Sequence, residues 1–257
     1  GTDELNVDGI ALRGFTAPSN DGTGNLAESN NSNLTGWETI NVKNAGSLKL
    51  SNNLFTAANM GELNIDATST LDLKGNSPGV FNIFGNVNNA GAMTMADGAA
   101  DDETTITGDY TGVAGSTYAI DTVLGDDNSA TDKLIVNGNT SGTTALQVTN
   151  AGGTGAQTVE GIQVVQVEGA SNGTFTMAAP VQAGSYEYQL FQGGKSTPTD
   201  GDWYLRSKIK TTDIYRPAVA NYVTAQSANA DAGFTLLSTL HQRMGEQRGA
   251  STALTTE

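Results

Sequence analysis

Ser47-Leu48-Lys49-Leu50, Thr70-Leu71-Asp72-Leu73 and Ala92-Met93-Thr94-Met95 repeat one pattern: two apolar residues one place apart, with a polar residue between them. Their last apolar positions fall at 50, 73 and 95, spacings of 23 and 22. Period-two alternation puts Leu48 and Leu50 on one face of a strand and Lys49 on the other. A second series interleaves with the first: Ile40-Asn41-Val42, Leu63-Asn64-Ile65, Phe81-Asn82-Ile83 and Thr105-Ile106-Thr107, spaced by 23, 18 and 23. Two short strands per period of about 20 residues, apolar side inward, are the signature of a parallel β-helix. One coil cannot bury its own apolar face, but coils stacked about 4.8 Å apart share a continuous core. Asn and Gly at the corners supply the positive φ that tight turns need. A β-sandwich also alternates, so alternation alone leaves that reading open.

Composition supports a long thin core. The chain has 257 residues, room for one large all-β unit or two domains, with 32 Gly, 6% aromatic and 37% apolar residues. An ordinary mixed globule carries more charge and more large apolar side chains. The net charge of −15 is uneven: residues 1–204 hold 6 Lys/Arg against 23 Asp/Glu, whereas residues 205–257 hold 6 against 4. Such an acidic body disfavours nucleic acid and anionic membranes as partners and suits a solvated, secreted surface protein. With no Cys, disulfides, thiolate catalysis and Cys-ligated zinc are excluded. No signal peptide opens the chain and no apolar run reaches the roughly 18 residues a membrane helix needs. Gly1 is expected to begin in mid-domain.

After about residue 116 the strands lengthen. Tyr118 to Leu124, Lys133 to Val136, Ala145 to Val148, Ile162 to Val167, Thr174 to Met177 and Tyr186 to Leu190 alternate strongly, separated by turn clusters such as Gly125-Asp126-Asp127-Asn128. Partly antiparallel pairing is expected here, as a cap over the open edge of the coils. From Pro217 the pattern becomes helical, with Phe234, Leu237, His241 and Met244 on one stripe beside Leu236 and Leu240. Gly233 is a candidate break in that helix.

Residues 115–205 resemble the C-terminal passenger region of bacterial autotransporters, the pertactin-like and AIDA-like type with an autochaperone segment. The words that carry the likeness are Asp121-Thr122-Val123-Leu124-Gly125-Asp126-Asp127, Thr131-Asp132-Lys133-Leu134-Ile135-Val136, Gly161-Ile162-Gln163-Val164-Val165, Tyr186-Glu187-Tyr188-Gln189-Leu190 and Asp202-Trp203-Tyr204-Leu205-Arg206. Tyr215-Arg216-Pro217, followed by Leu237 and Leu240-His241-Gln242-Arg243, is similar to the linker that threads the family's barrel. The resemblance implies secretion across a Gram-negative outer membrane through the protein's own C-terminal β-barrel, which would begin shortly after Glu257. It implies a right-handed β-helix emerging C-terminus first, an autochaperone that folds early, and a linker helix in the barrel lumen.

Candidate chemistry is thin. Gly169-Ala170-Ser171-Asn172-Gly173 has the spacing of a nucleophile elbow but lies between strands, and the sole His, His241, is on the linker. Gly193-Gly194-Lys195-Ser196-Thr197 lacks the first Gly of a phosphate loop, because position 189 is Gln189. Asp126, Asp127 and Asp132, or Asp97, Asp101, Asp102 and Glu103, lack EF-hand spacing and are expected to be solvated loops. Paired carboxylates acting on a polysaccharide would need sugar-stacking aromatics, which are sparse in the coils.

The expectation is therefore an all-β chain: a right-handed parallel β-helix with a β-rich C-terminal cap, followed by a helical linker. Residues 1–115 would be stalk coils, 116–212 the autochaperone-like cap, and 213–257 the linker toward an outer-membrane barrel. Phe175, Tyr188, Trp203, Tyr204 and Leu205 are expected to form the template core, with Phe234, Leu237, Leu240 and Met244 on the linker helix. No catalytic, cofactor or metal site is expected. The reading is a folding template and surface stalk, of an adhesin, tethered extracellularly at the outer membrane. The alternatives are coils that themselves bind a host receptor, glycan or sister passenger, or that act on a polysaccharide.

Overall fold

The computed structural model describes residues 3–9, 11–13, 37–50, 53–74, 79–177, 179–209 and 229–245. The chain divides into two units, residues 1–209 and 210–257, each taken by itself.

The first unit is a parallel β-solenoid with three faces per coil. One face stacks β1 (Glu4–Asp8), β3 (Thr39–Lys43), β5 (Gly61–Ile65) and β8 (Gly85–Asn89) in parallel. A second stacks β2 (Ala11–Arg13), β4 (Ser47–Lys49), β6 (Thr70–Asp72) and β9 (Ala92–Thr94). The third holds β7 (Val80–Ile83), β10 (Glu103–Ile106), β12 (Lys133–Val136) and β14 (Ile162–Val167). The long strand β11 (Tyr110–Thr122) runs through a corner: Tyr110–Gly112 pair with β8 and Thr117–Ala119 with β9. β13 (Thr140–Asn150) follows the same bent path, and β15 (Thr174–Thr176) pairs with its first half. The expected border at 115/116 thus falls inside one strand.

Register places like residues above like. Ile40, Leu63, Val87 and Tyr110 form one inward ladder, and Leu48, Leu71, Met93 and Tyr118 another. All eight are buried, with 2% exposure or less. The second sequence series proves to be composite. Leu63 is followed on its face by Val87, 24 residues on, whereas Phe81 and Ile83 belong to the third face, over Thr104 and Ile106. Period-two alternation marks which way a side chain points within a coil, and is silent on which face the strand occupies. That is why one interval reads 18.

The corners differ in their chemistry. Between β3 and β4, Asn44 (φ 54°) and Ala45 (φ 62°) take the left-handed region, and Gly46 follows. Gly46 is needed for space: a Cβ there would collide with the backbone carbonyl of Val7 in the preceding coil. Asp66, one coil on, receives the Asn44 N–H at 2.6 Å and those of its own turn through Thr68 at 2.9 Å. Burial would raise its pKa, but hydrogen bonds from Ser69, Asn44 and Thr68 outweigh that and hold it at about 2.

The solenoid ends in an antiparallel sheet. β16 (Val181–Ala183), β17 (Tyr186–Gln192) and β18 (Trp203–Ile209) extend the third face, and β18 pairs β14 antiparallel. Parallel coiling thus persists to β15, further than the change of texture near 116 suggests; the reversal begins after it. In the second unit a helix covers residues 229–245 and passes through Gly233 without a break. No described helix is long and apolar enough to cross a membrane. Pro217 and residues 213–228 lie outside the described residues.

Two substitutions test this arrangement by urea unfolding. Leu71→Ala, which opens a cavity in an inward ladder, should cost about 2–5 kcal/mol, while Lys49→Ala on the outer side should stay within about 0.5 kcal/mol. Ala45→Gly should stabilise by about 1 kcal/mol, because a left-handed L-residue is strained by that order.

Candidate functional site

The cap is built where strand polarity reverses. Ile162 pairs with Leu205, Gln163 with Tyr204 and Val165 with Trp203, with a register shift between Gln163 and Val165. The β17–β18 hairpin runs in unbroken antiparallel register from Tyr186↔Ile209 to Gln192↔Trp203. Alternation along β18 sends Trp203, Leu205 and Ser207 inward and leaves Tyr204 and Arg206 on the outer side.

Trp203 lies against Phe175 edge-to-face, ring centres 5.5 Å apart, and Phe175 stacks on Tyr110 at 6.0 Å. This aromatic column ties β18 to the last parallel coil, and through Tyr110 to the coil two before it. The Trp203 indole N–H is buried without a hydrogen-bond partner, so what the ring contributes is contact area. Tyr188 is fully buried and its hydroxyl works as a rivet. It accepts the Ala156 N–H at 2.9 Å and lies 2.8 Å and 3.1 Å from the carbonyls of Gly125 and Ala156. Leu205 is wholly buried. Of the five expected template residues, Phe175, Tyr188, Trp203 and Leu205 are in the core, and Tyr204 is half-buried on the outer face. Its hydroxyl donates to Asp200 at 2.9 Å, and burial together with the Asp200 carboxylate pushes its pKa up.

Polar clasps that composition did not announce fasten the cap. Ser207 and Thr158 exchange hydrogen bonds: the Thr158 N–H reaches Ser207 Oγ and the Ser207 N–H reaches Thr158 Oγ1, both at 2.8 Å. Asp202 accepts the Val167 N–H at 2.8 Å and the Gln163 amide at 2.7 Å; burial raises its pKa against those bonds. Asp127 accepts three consecutive backbone N–H groups, Val159 at 2.8 Å, Glu160 at 3.1 Å and Gly161 at 2.8 Å. Burial would raise its pKa, but these donors, with Arg206 nearby, draw it down. Arg206 donates to the carbonyls of Glu160 and Gly193 and lies 5.2 Å from the Phe191 ring. The only hint in the sequence was the acidic turn at Asp126-Asp127; the partners are 32 to 34 residues away and have no local pattern.

The other candidates resolve plainly. Ser171 lies in the turn between β14 and β15, where its Oγ accepts from Gln192 at 3.2 Å, with no helix following. Gly194 and Ser196 close the β17–β18 connection onto Asp200 and Glu160. Among the described residues, no group of three or more His, Asp or Glu is placed to hold a metal ion. The expectation of solvated acidic loops is corrected at Asp102 and Asp132, which are 2% and 0% exposed; their oxygens accept backbone N–H groups inside the stack. On the helix, Phe234, Leu237, Leu240 and Met244 are exposed by 52% to 71%.

A parallel coil stack closed by an antiparallel hairpin defines the class: a β-solenoid whose C-terminal end is a built cap. Residues 80–190 match the family described as Autochaperone Domain Type 1. The chain is similar to the adhesin BmaC autotransporter of Brucella suis biovar 1 (strain 1330), 44% identical over 162 residues, which is 56% of this chain and 5% of that protein. It is similar to the autotransporter adhesin AIDA-I of Escherichia coli, 43% identical over 117 residues, 45% of this chain and 9% of that protein. A match to the uncharacterized protein YuaQ of Escherichia coli (strain K12) is 33% identical and spans 96% of this chain and 19% of that protein. The chain is an autotransporter passenger segment, a β-solenoid with an autochaperone-like region and a C-terminal helix. It spans only a small part of the length of these curated relatives.

Trp203→Ala should destabilise the chain by about 3–5 kcal/mol, and Trp203→Phe by clearly less, since the indole N–H makes no bond; chemical denaturation measures both. Tyr188→Phe should cost about 1–3 kcal/mol by stranding buried polar groups. Acid should weaken the seams held by Asp66 and Asp127. Asp66 and Asp127 have folded pKa values below their unfolded ones, so their stabilisation is present above about pH 4 and is lost as pH falls below it, for Asp66 through about 2. Circular dichroism through an acid titration should show cap and coils failing in that window.

Proposed function

We propose that residues 116–212 act as a folding template for the passenger and that residues 1–115 serve as its surface stalk, in an adhesin-type autotransporter displayed outside the cell. The observation that carries this is the aromatic column Tyr110–Phe175–Trp203 beneath an antiparallel hairpin. A hairpin closes a short loop, so it forms without the long-range closure that a first parallel coil requires. Once formed, it offers β14 as a finished edge on which the preceding coils can add one at a time. Outside the cell no nucleotide energy is at hand, and each added coil buries apolar area at roughly 25 cal/mol per Å². The helix at 229–245, with its exposed Phe234, Leu237, Leu240 and Met244, belongs to a linker, residues 213–257, toward the protein's own outer-membrane β-barrel, the partner that autotransporter kinship implies.

A non-catalytic role fits the carboxylates. Two carboxylates on the outer side of the cap, Asp127 and Glu160, are tied to backbone N–H groups and have lowered pKa values, which suits neither for donating a proton at neutral pH. The one carboxyl raised to about 7, Asp132, is wholly buried and out of reach of a substrate.

A second reading has a specific observation behind it. Asn6, Asn41, Asn64 and Asn88 form a continuous outward amide ladder, at 3.2, 2.9 and 2.8 Å, with Glu62 joined to Asn88 at 2.7 Å. Such a flat polar face could dock on a host ligand or a sister passenger. Replacing Asn41 and Asn64 by Lys should abolish cell aggregation in that case, and leave it unchanged if the face is merely solvated.

The folding role is tested by surface display of the full-length parent. Trp203→Ala, and deletion of 116–204, should leave protein exported but sensitive to limited protease on intact cells. Unchanged resistance would make the segment a passive spacer.

A further inference from the structure

Three carboxylates lie inside the solenoid where the turns before β10 and β12 meet β11. Asp102, Asp121 and Asp132 are exposed by 2%, 1% and 0%. Asp132 bridges two faces: its Oδ1 accepts the Asp102 N–H at 3.1 Å and its Oδ2 the Asp121 N–H at 2.7 Å. Asp102 Oδ1 reaches into the coil above and accepts the Gly79 N–H at 2.6 Å. Asp121 Oδ2 accepts the Gly98 N–H, also at 2.6 Å. The trio thus sews consecutive coils together through backbone donors.

The site also contains two polar atoms without partners. Asp102 Oδ2 and the Tyr118 hydroxyl are buried and make no hydrogen bond. Tyr118 is fully buried and feels the charges of Asp132 and Asp102. The charged groups that act most on the trio are themselves carboxylates: Asp97, Asp101 and Asp121 on Asp102, and Asp102 and Asp121 on Asp132. Lys133, next in sequence, reaches Gln163 on the outer side, at 3.0 Å. With Asp102 and Asp132 both out of water and no cation among the groups that act most on them, ionising both is costly, and holding a proton between them relieves the repulsion.

We propose that Asp102 and Asp132, buried beside Asp121, form a proton-holding clasp: the folded solenoid keeps one proton between them that the unfolded chain releases, so the coil junction tightens as its surroundings acidify.

The direction follows from linkage. Burial, reinforced by the neighbouring carboxylates, pushes Asp132 up from the ordinary 3.8 to about 7 and Asp102 upward as well, against the backbone hydrogen bonds that lower both. A group raised in the folded state contributes stability that is fully present below its unfolded pKa and lost as pH rises through the folded one. The window is therefore about pH 4 to 7, above the range in which Asp66 and Asp127 fail.

The test is denaturant unfolding of the chain at pH 5 and pH 7, beside Asp102→Asn and an exposed control of equal charge change, Asp3→Asn. The amide at 102 keeps an acceptor for Gly79 and turns a permanent donor toward the trio. The unfolding constant of the unsubstituted chain and of the control should rise by up to about tenfold per pH unit, and that of Asp102→Asn should rise markedly less. Independently, carbon-13 carboxyl titration of the unsubstituted chain should find a buried Asp titrating near 7, a reading that stands even where Asp102→Asn folds poorly. Equal slopes in Asp102→Asn and the control, or no Asp carboxyl titrating above pH 6, would overturn the proposal.

Discussion

A stack of parallel coils has no natural end. Every coil borrows half of its hydrogen bonds and half of its apolar cover from the next, so the last one presents a row of unpaired backbone groups above an open core. The rest of this structure depends on how that end is closed. Here β18 reverses direction on β14, and β17 and the three-residue edge strand β16 finish the sheet. Trp203 covers Phe175 in the same stroke. One hairpin thus satisfies the edge and plugs the core, and its polarity prevents a further parallel coil from adding there.

Local pattern carried the coils, and sequence distance hid the cap. Leu48, Leu71 and Met93 were legible as one ladder because their period is nearly constant and their polar neighbours alternate. The third face was harder: Phe81 and Ile83 alternate just as Leu63 and Ile65 do, and nothing in a strand's own residues names its face. In the cap, bulk singles out Phe175, Tyr188, Trp203 and Tyr204, of which the first three are buried, and alternation alone turns Tyr204 outward once Trp203 and Leu205 are placed inside. Tyr110 went unnoticed because it opens a strand 65 residues before the Phe175 it stacks on. Ser207 with Thr158, and Asp127 with the loop 159–161, are equally invisible, being pairings of small polar residues that carry no periodicity.

The acidic character of the chain has two parts with different physics. Most of its carboxylates are solvated or hold a turn, and serve solubility. A few are structural: Asp66 and Asp127 accept backbone N–H groups from a neighbouring coil, and Asp202, at the start of the hairpin's last strand, accepts one from β14. Composition reads both kinds as surface charge. The structural ones make the solenoid's seams pH-dependent, in a protein without Cys that cannot staple them.

The central claim is that the cap forms first and the coils grow from it. Pulsed hydrogen exchange during refolding, read by mass spectrometry, tests it most directly. The account predicts that amides of β14, β17 and β18 are protected before those of β3 to β6. Protection of the early coils first, or of both regions at the same time, would contradict it.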